Sequence, residues 1–226
     1  MNHPLIIGAG GVASYLLPVL LKTFRPQSLT IIDKDVLEER NLDRQMFDPE
    51  QVGENKAHAL MWTDAVINAA PKLNSNIIKD WFTDATVIPD DIDAIICVAD
   101  NHLARHAAMV KAYELNVHCY IGGNEYFDSQ AFVAHKNWIG TEKDPLVRYP
   151  NIATDTHGSP LHNCTGEAQI SDPQLAIANQ ACASKLLHLL WLYERWLPEN
   201  RAALNEAAIN ALPYELFSSL FENSIK

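Results

Sequence analysis

The sequence predicts an α/β fold, a doubly wound and mostly parallel sheet flanked by helices, and three observations predict it. Short apolar runs alternate with stretches of helical spacing along roughly the first 135 residues. A Gly-Ala-Gly-Gly turn at residues 8–11 follows the first run directly and opens a helix, which is a Rossmann-like arrangement. The 226 residues are 48% hydrophobic and 20% charged, enough for the packed core of one sizeable domain.

Leu5 to Ile7 forms the first run, and Val12, Leu16, Leu17, Leu20 and Leu21 follow the glycines at helical spacing. Leu29 to Ile32 is the second run and stops at Asp33. Residues 53–69 carry a helical pattern, and Ile77-Ile78 marks the third strand. Ile92 to Val98 is strand-like and ends at Asp100-Asn101; a helix then runs to about Leu115, and Val117 to Ile121 is the next strand. Ala131 to Ala134 supplies a further strand after a turn near Asp128. Residues 136–167, rich in Pro, Gly, His, Thr and Asp, have no sustained periodicity and read as a long crossover loop. Asp172-Pro173 offers an N-cap and a first-turn proline for a helix reaching about Trp196. Residues 199–226 read as one or two short helices around Pro213.

The formal net charge of -11, without a long basic run, argues against general affinity for nucleic acid or anionic membrane. Residues 4–21 carry no charge, yet Gly8, Gly10, Gly11 and Pro18 interrupt them. A strand, a turn and a helix account for them better than a membrane span or a signal core. The four cysteines, Cys97, Cys119, Cys164 and Cys182, are widely spaced with no C-x-x-C pair. That spacing fits a reducing, cytoplasmic setting and gives no reason to expect a structural zinc.

Gly8, Gly10 and Gly11 form a candidate phosphate turn. Glycine lets the backbone approach phosphate closely, and a helix N-terminus presents unpaired N–H groups to negative charge. The third glycine of the dinucleotide fingerprint is Ala13 here. Asp33 lies 25 residues after Gly8, where an acid can accept from ribose hydroxyls or simply cap a loop. These features serve NAD and ATP equally.

The residues that follow are more specific. Asp33-Lys34-Asp35-Val36, then Asn41-Leu42-Asp43-Arg44-Gln45, then Gly53-x-x-Lys56, and later Val98-Ala99-Asp100-Asn101 with Arg105 resemble the signature of the ThiF/MoeB family within the ubiquitin-activating enzyme superfamily. The resemblance covers about residues 5–135 and resumes from Asn163 to about Leu190. It implies a ThiF-type adenylation domain over residues 1–198 with a C-terminal helical extension over 199–226. The implied reaction is ATP-dependent adenylation of a carboxylate, releasing pyrophosphate. The expected substrate is the C-terminus of a ubiquitin-like carrier protein or a peptide. It further implies Asp33 at the ribose and Asn41, Arg44, Gln45 and Lys56 around the phosphates, with Asp35 also among the cofactor-binding residues. Asp100 is implied to hold Mg²⁺, and the chain to form a homodimer. Chemistry agrees: a carboxylate attacking a triphosphate brings anions together, so Arg44 and Lys56 are the natural cations. The family's N-terminal helix arginine has no counterpart before Leu5 and is expected to be either missing or supplied otherwise.

Cys164, in Asn163-Cys164-Thr165-Gly166-Glu167, resembles in position the cysteine that takes up the activated carrier in ThiF-like proteins. It stays open as a nucleophile, an inert thiol, or one member of a metal cluster with His157 and His162. Alternative functions are activation of a small-molecule or nucleoside-linked carboxylate, and a non-catalytic subunit of a heterodimer. An NAD dehydrogenase ranks last.

Overall fold

The computed structural model describes residues 1–124, 128–155 and 175–219. Seven strands form one sheet in the order β3-β2-β1-β4-β5-β6-β7. They are β1 (Pro4–Ile7), β2 (Ser28–Ile32), β3 (Asn74–Ile78), β4 (Ala94–Cys97), β5 (Cys119–Asn124), β6 (Asp128–Ala134) and β7 (Glu215–Ser219). The first five run parallel, and β6 and β7 continue antiparallel. The helices are α1 (Gly11–Phe24), α2 (Lys56–Met61), α3 (Asp64–Ala69), α4 (His102–Leu115), α5 (Pro145–Arg148), α6 (Asn151–Thr154), α7 (Ala176–Trp191), α8 (Leu197–Asn200) and α9 (Glu206–Asn210). This is the doubly wound, Rossmann-like α/β fold the sequence predicts.

The central strands read as unbroken apolar runs because both sheet faces are covered. On one face Ile6, Ile31, Ile96 and Tyr120 pack with Leu16, Leu17 and Leu20 of α1 and Leu186, Leu189 and Leu190 of α7. On the other, Leu5, Ile7, Ile95, Cys97 and Ile121 pack with Ala108, Met109 and Ala112 of α4. Successive residues of a strand therefore enter different cores. The crossover from β3 to β4 carries the chain past β1, so the winding reverses between β1 and β4. A crevice at the carboxyl ends of those strands is where such sheets bind ligands.

Two regions differ from the sequence expectation. The described part of the crossover, up to Asp155, holds α5 and α6 rather than unbroken loop. Asp144 caps α5 by accepting from Leu146 N–H at 2.9 Å, and segments of 4 residues are too short to show a period. The C-terminal part contains α9, as expected, but then β7, a strand that joins the main sheet. Its Glu215 carboxylate accepts from Tyr149 and Gln130 and pairs with Arg148, tying strand, sheet and crossover together. Asp172-Pro173 lies outside the described residues, and the helix continues beyond Trp196 through α8. Among the described residues no helix is long and apolar enough to cross a membrane.

Candidate active site

The three glycines of the turn do different work. Gly8 has φ +93°, and a Cβ there would stand 2.9 Å from Ala99 N, so only glycine fits. Its N–H donates to Ile32 C=O at 2.9 Å. The turn is thereby pressed against the segment leaving β4, with Asp100 next in chain and exposed. Buried Arg105 fixes that segment by donating from Nε to Ala99 C=O at 3.1 Å. Asn101 caps α4, its Oδ1 accepting from Ala104 N–H at 2.8 Å. Among the described residues, a Cβ on Gly10 would meet nothing within 4 Å, and no side chain is bonded to the first N–H groups of α1, which Gly10 precedes. Open space beside uncapped N–H groups is what an anion needs. Gly11 instead admits a neighbouring helix: its Cβ would lie 2.4 Å from the amide of Asn179 in α7.

Asp33 leaves β2 beside this turn. One carboxylate oxygen accepts from Ala9 N–H at 2.6 Å and the other from Asp35 N–H at 2.7 Å. Burial pushes its pKa above the ordinary aspartate value, while the two N–H bonds and the Lys56 charge pull the other way and only partly offset it. Lys56, at the start of α2, is brought back to this loop by its own N–H, which donates to Asp35 C=O at 2.8 Å. Its Nζ lies 3.2 Å from Asp35 Oδ2. Asn55 fastens the same junction, donating from Nδ2 to Asp33 C=O at 2.8 Å and capping α2 through Oδ1.

The segment carrying Asn41, Arg44 and Gln45 is strapped over the start of α1. Ser14 Oγ accepts from Met46 N–H at 3.0 Å and donates to Gly11 C=O at 2.7 Å. Asn179 Nδ2 donates to Arg44 C=O at 3.1 Å. Asn41 is buried, and its Oδ1 accepts from Glu38 N–H at 3.0 Å, closing a capping box. Arg44 donates from Nη1 to Arg40 C=O at 2.8 Å and to Asp43 at 2.9 Å, so this end of its guanidinium serves its own turn. Gln45 Oε1 is buried with no hydrogen-bond partner among the described residues. Such an atom costs about 1–3 kcal/mol unless something supplies a donor, or unless the amide is turned to present N–H groups outward.

Gly8, Gly10, Asp33, Lys56 and the Arg44–Gln45 backbone thus gather at the carboxyl ends of β1 and β2, with Asp100 at the end of β4. Gly11 and Asn41 belong to the same region but are engaged in packing and capping. Cys164, His157 and His162 lie outside the described residues. Cys97 and Cys182 are buried, as their strand and helix positions predict. Ser14, Asn55 and Asn179 organise the site and escape sequence reasoning. Only Asn179 leaves a trace, as the first of two adjacent carboxamides, with Gln180, in the otherwise apolar start of α7.

Comparison with known proteins agrees with this fold. PaaA, solved with selenomethionine, has a TM-score of 0.61 at 14% identity, covering 98% of this chain and 62% of its own. E. coli MccB with AMPCPP and MccA gives 0.61 at 14% identity, covering 84% and 55%. E. coli MccB with MccA gives 0.62 at 16%, covering 86% and 56%. The chain therefore spans 55% to 62% of the length of these solved chains. No curated protein matches it by sequence. Residues 2–220, nearly the whole chain, match the ThiF family, and the chain belongs to that family.

Proposed function

We propose that the chain uses ATP to adenylate a carboxylate, the C-terminus of a peptide or a ubiquitin-like carrier protein. A carboxylate oxygen attacks the α-phosphorus, the bond to the oxygen bridging toward the β-phosphorus breaks, and pyrophosphate leaves with that electron pair. The product is a mixed acyl-phosphate anhydride with AMP. The observation that carries the reading is the convergence at the first glycine turn: an open, uncapped helix start at Gly10, flanked by Asp33 and Lys56.

In this reading the N-terminal N–H groups of α1 hold phosphate, and the Asp33 carboxylate accepts from ribose hydroxyls with Asp35 beside it. Lys56 and Arg44 exchange their bonds to Asp35 and Asp43 for phosphate oxygens as charge develops. Among the described residues no three His, Cys, Asp or Glu side chains form a ready cage for a metal. Asp100, an exposed carboxylate just beyond the end of β4, is the single protein ligand that would hold Mg²⁺ together with phosphate oxygens. When bound, Mg²⁺ would neutralise phosphate charge. The solved complex of E. coli MccB with AMPCPP and MccA supports a nucleotide and a second molecule as the two substrates. Transfer of the acyl group to Cys164 and homodimer formation rest on the family resemblance alone.

ATP–pyrophosphate exchange tests the proposal. Exchange should require an acceptor with a free C-terminal carboxylate, and the same peptide amidated at its C-terminus should be inert. Exchange driven only by small carboxylic acids moves the substrate to the alternative class. Tight ATP binding with no exchange for any carboxylate would mark the chain as a non-catalytic subunit.

A further inference from the structure

We propose that Trp81, with Lys34 over its ring, is the platform on which the nucleobase rests, an assignment that builds on the ATP reading. The sheet order runs β1, β2, β3, as a nucleotide runs phosphate, ribose, base. With phosphate at Gly10 after β1 and ribose at Asp33 after β2, the base falls toward the end of β3. Asp33 N–H donates to Ile78 C=O at 3.1 Å, so the two strand ends are still bonded there. Trp81 stands three residues beyond Ile78.

Lys34 follows Asp33 directly, and its Nζ sits 3.5 Å from the centroid of the Trp81 ring. The indole is therefore within one lysine side chain of the residue assigned to the ribose. It is 51% exposed, whereas its neighbour Phe82 is 6% exposed and belongs to the second core. The backbone around Trp81 is fixed by its N–H to Asp80 at 2.7 Å and by Thr86 Oγ1 donating to its carbonyl at 3.3 Å. Thr83 N–H in turn donates to Thr86 Oγ1 at 2.8 Å. A large, half-exposed ring held on a fixed turn, with a cation over it, suits stacking by a purine. Loss of base–aromatic stacking on truncation to alanine weakens affinity by about 5- to 150-fold.

Binding of ATP, AMP and inorganic tripolyphosphate to the wild type, W81A, W81L and W81F tests the assignment. W81A and W81L should weaken ATP and AMP by roughly 10-fold and leave tripolyphosphate unchanged. W81F should keep most of the affinity. In exchange assays the loss should appear in KM for ATP and not in kcat. Wild-type ATP binding with unaltered W81A and W81L reduces the Lys34–Trp81 pair to a surface contact and overturns this assignment alone. A wild type that binds neither ATP nor AMP overturns the nucleotide reading and the platform with it.

Discussion

The side chain of Asn179 donates to the backbone carbonyl of Arg44 at 3.1 Å while its amide rests where a Cβ on Gly11 would have to be. Asn179 is fully buried, and its Oδ1 accepts from Asn124 Nδ2 at 3.0 Å. One carboxamide therefore joins α7, the end of β5, the start of α1 and the segment that carries Arg44 and Gln45. The closeness of helix and turn is a condition for that bond, which gives Gly11 a reason to be glycine separate from phosphate binding.

Asn179→Ala removes the bonds to Arg44 C=O and to Asn124 and opens a small cavity. Loss of two buried hydrogen bonds predicts a destabilisation of about 2–4 kcal/mol. Nucleotide affinity should fall as well, because the strap over α1 loosens. Thermal melting and nucleotide titration read the two effects separately. An N179A protein that keeps wild-type affinity at a temperature well below its melt would show that the strap has no part in binding.

Gly10→Ala and Gly11→Ala should behave oppositely. Gly10 has φ -88° and ψ -151°, extended backbone at negative φ that does not require glycine. Among the described residues nothing lies within 4 Å of its would-be Cβ, so G10A should melt close to the wild type. It should nevertheless bind ATP at least about 10-fold more weakly, because the methyl occupies the approach to the N–H groups. G11A drives a methyl into Asn179 and should cost about 1–3 kcal/mol of stability. Equal melting temperatures for the two variants would contradict this division of labour.

Much of this was legible in the sequence, for physical reasons that differ by residue. The apolar runs of β1, β2 and β4 announce themselves because both faces are buried, and Asp33 and Asp100 stand out as acids placed where such runs end. Strand β7 was not legible. Glu215–Ser219 follows a proline and is exposed at Phe217, and its strand character comes from pairing with β6 and from the bonds Glu215 makes to Arg148, Tyr149 and Gln130. Tertiary contacts decide it, and sequence windows do not see them. Asn55 and Ser14 were hidden for a similar reason: each looks like an ordinary cap or helix residue until the loop it fastens comes back to it.

Asp33 predicts a pH dependence of known sign. Burial raises its folded pKa above that of the unfolded chain, so its ionisation opposes folding at neutral pH. The associated stability is fully present below the unfolded pKa of about 3.9 and is lost as pH rises through the folded value. A ¹³C titration of the Asp33 carboxyl should give a midpoint above about 3.9. D33N should keep stability within about 1 kcal/mol at neutral pH, exchanging a buried charge for one lost N–H bond. Its nucleotide affinity should drop about 10-fold with loss of a charged acceptor. A midpoint at or below the ordinary value would remove the basis for this trade.

His135 predicts the opposite sign at the other edge of the sheet. Its ring lies 4.8 Å from that of His118, which accompanies Glu194 at 3.0 Å, and Trp138 packs against both imidazoles. Burial, then the His118 and Lys136 charges, lower the His135 pKa to about 4, with Glu194 acting weakly against them. The unfolded histidine titrates near about 6.5. The folded state therefore keeps His135 neutral while the unfolded state takes up a proton. Stability present above about pH 6.5 is lost as pH falls toward 4. His135 is only half-buried, so solvent screening reduces the effect to about 1–2 kcal/mol, or about 2–8 °C in melting temperature for a chain of this size. His135→Asn retains a side chain able to cap the following 3₁₀ turn, as His135 Nδ1 does toward Asn137 N–H at 3.3 Å, and it does not titrate. The H135N melting temperature should therefore fall less than that of the wild type between pH 6.5 and 4. Parallel melting curves for the two proteins across that window would assign the acid sensitivity to other groups.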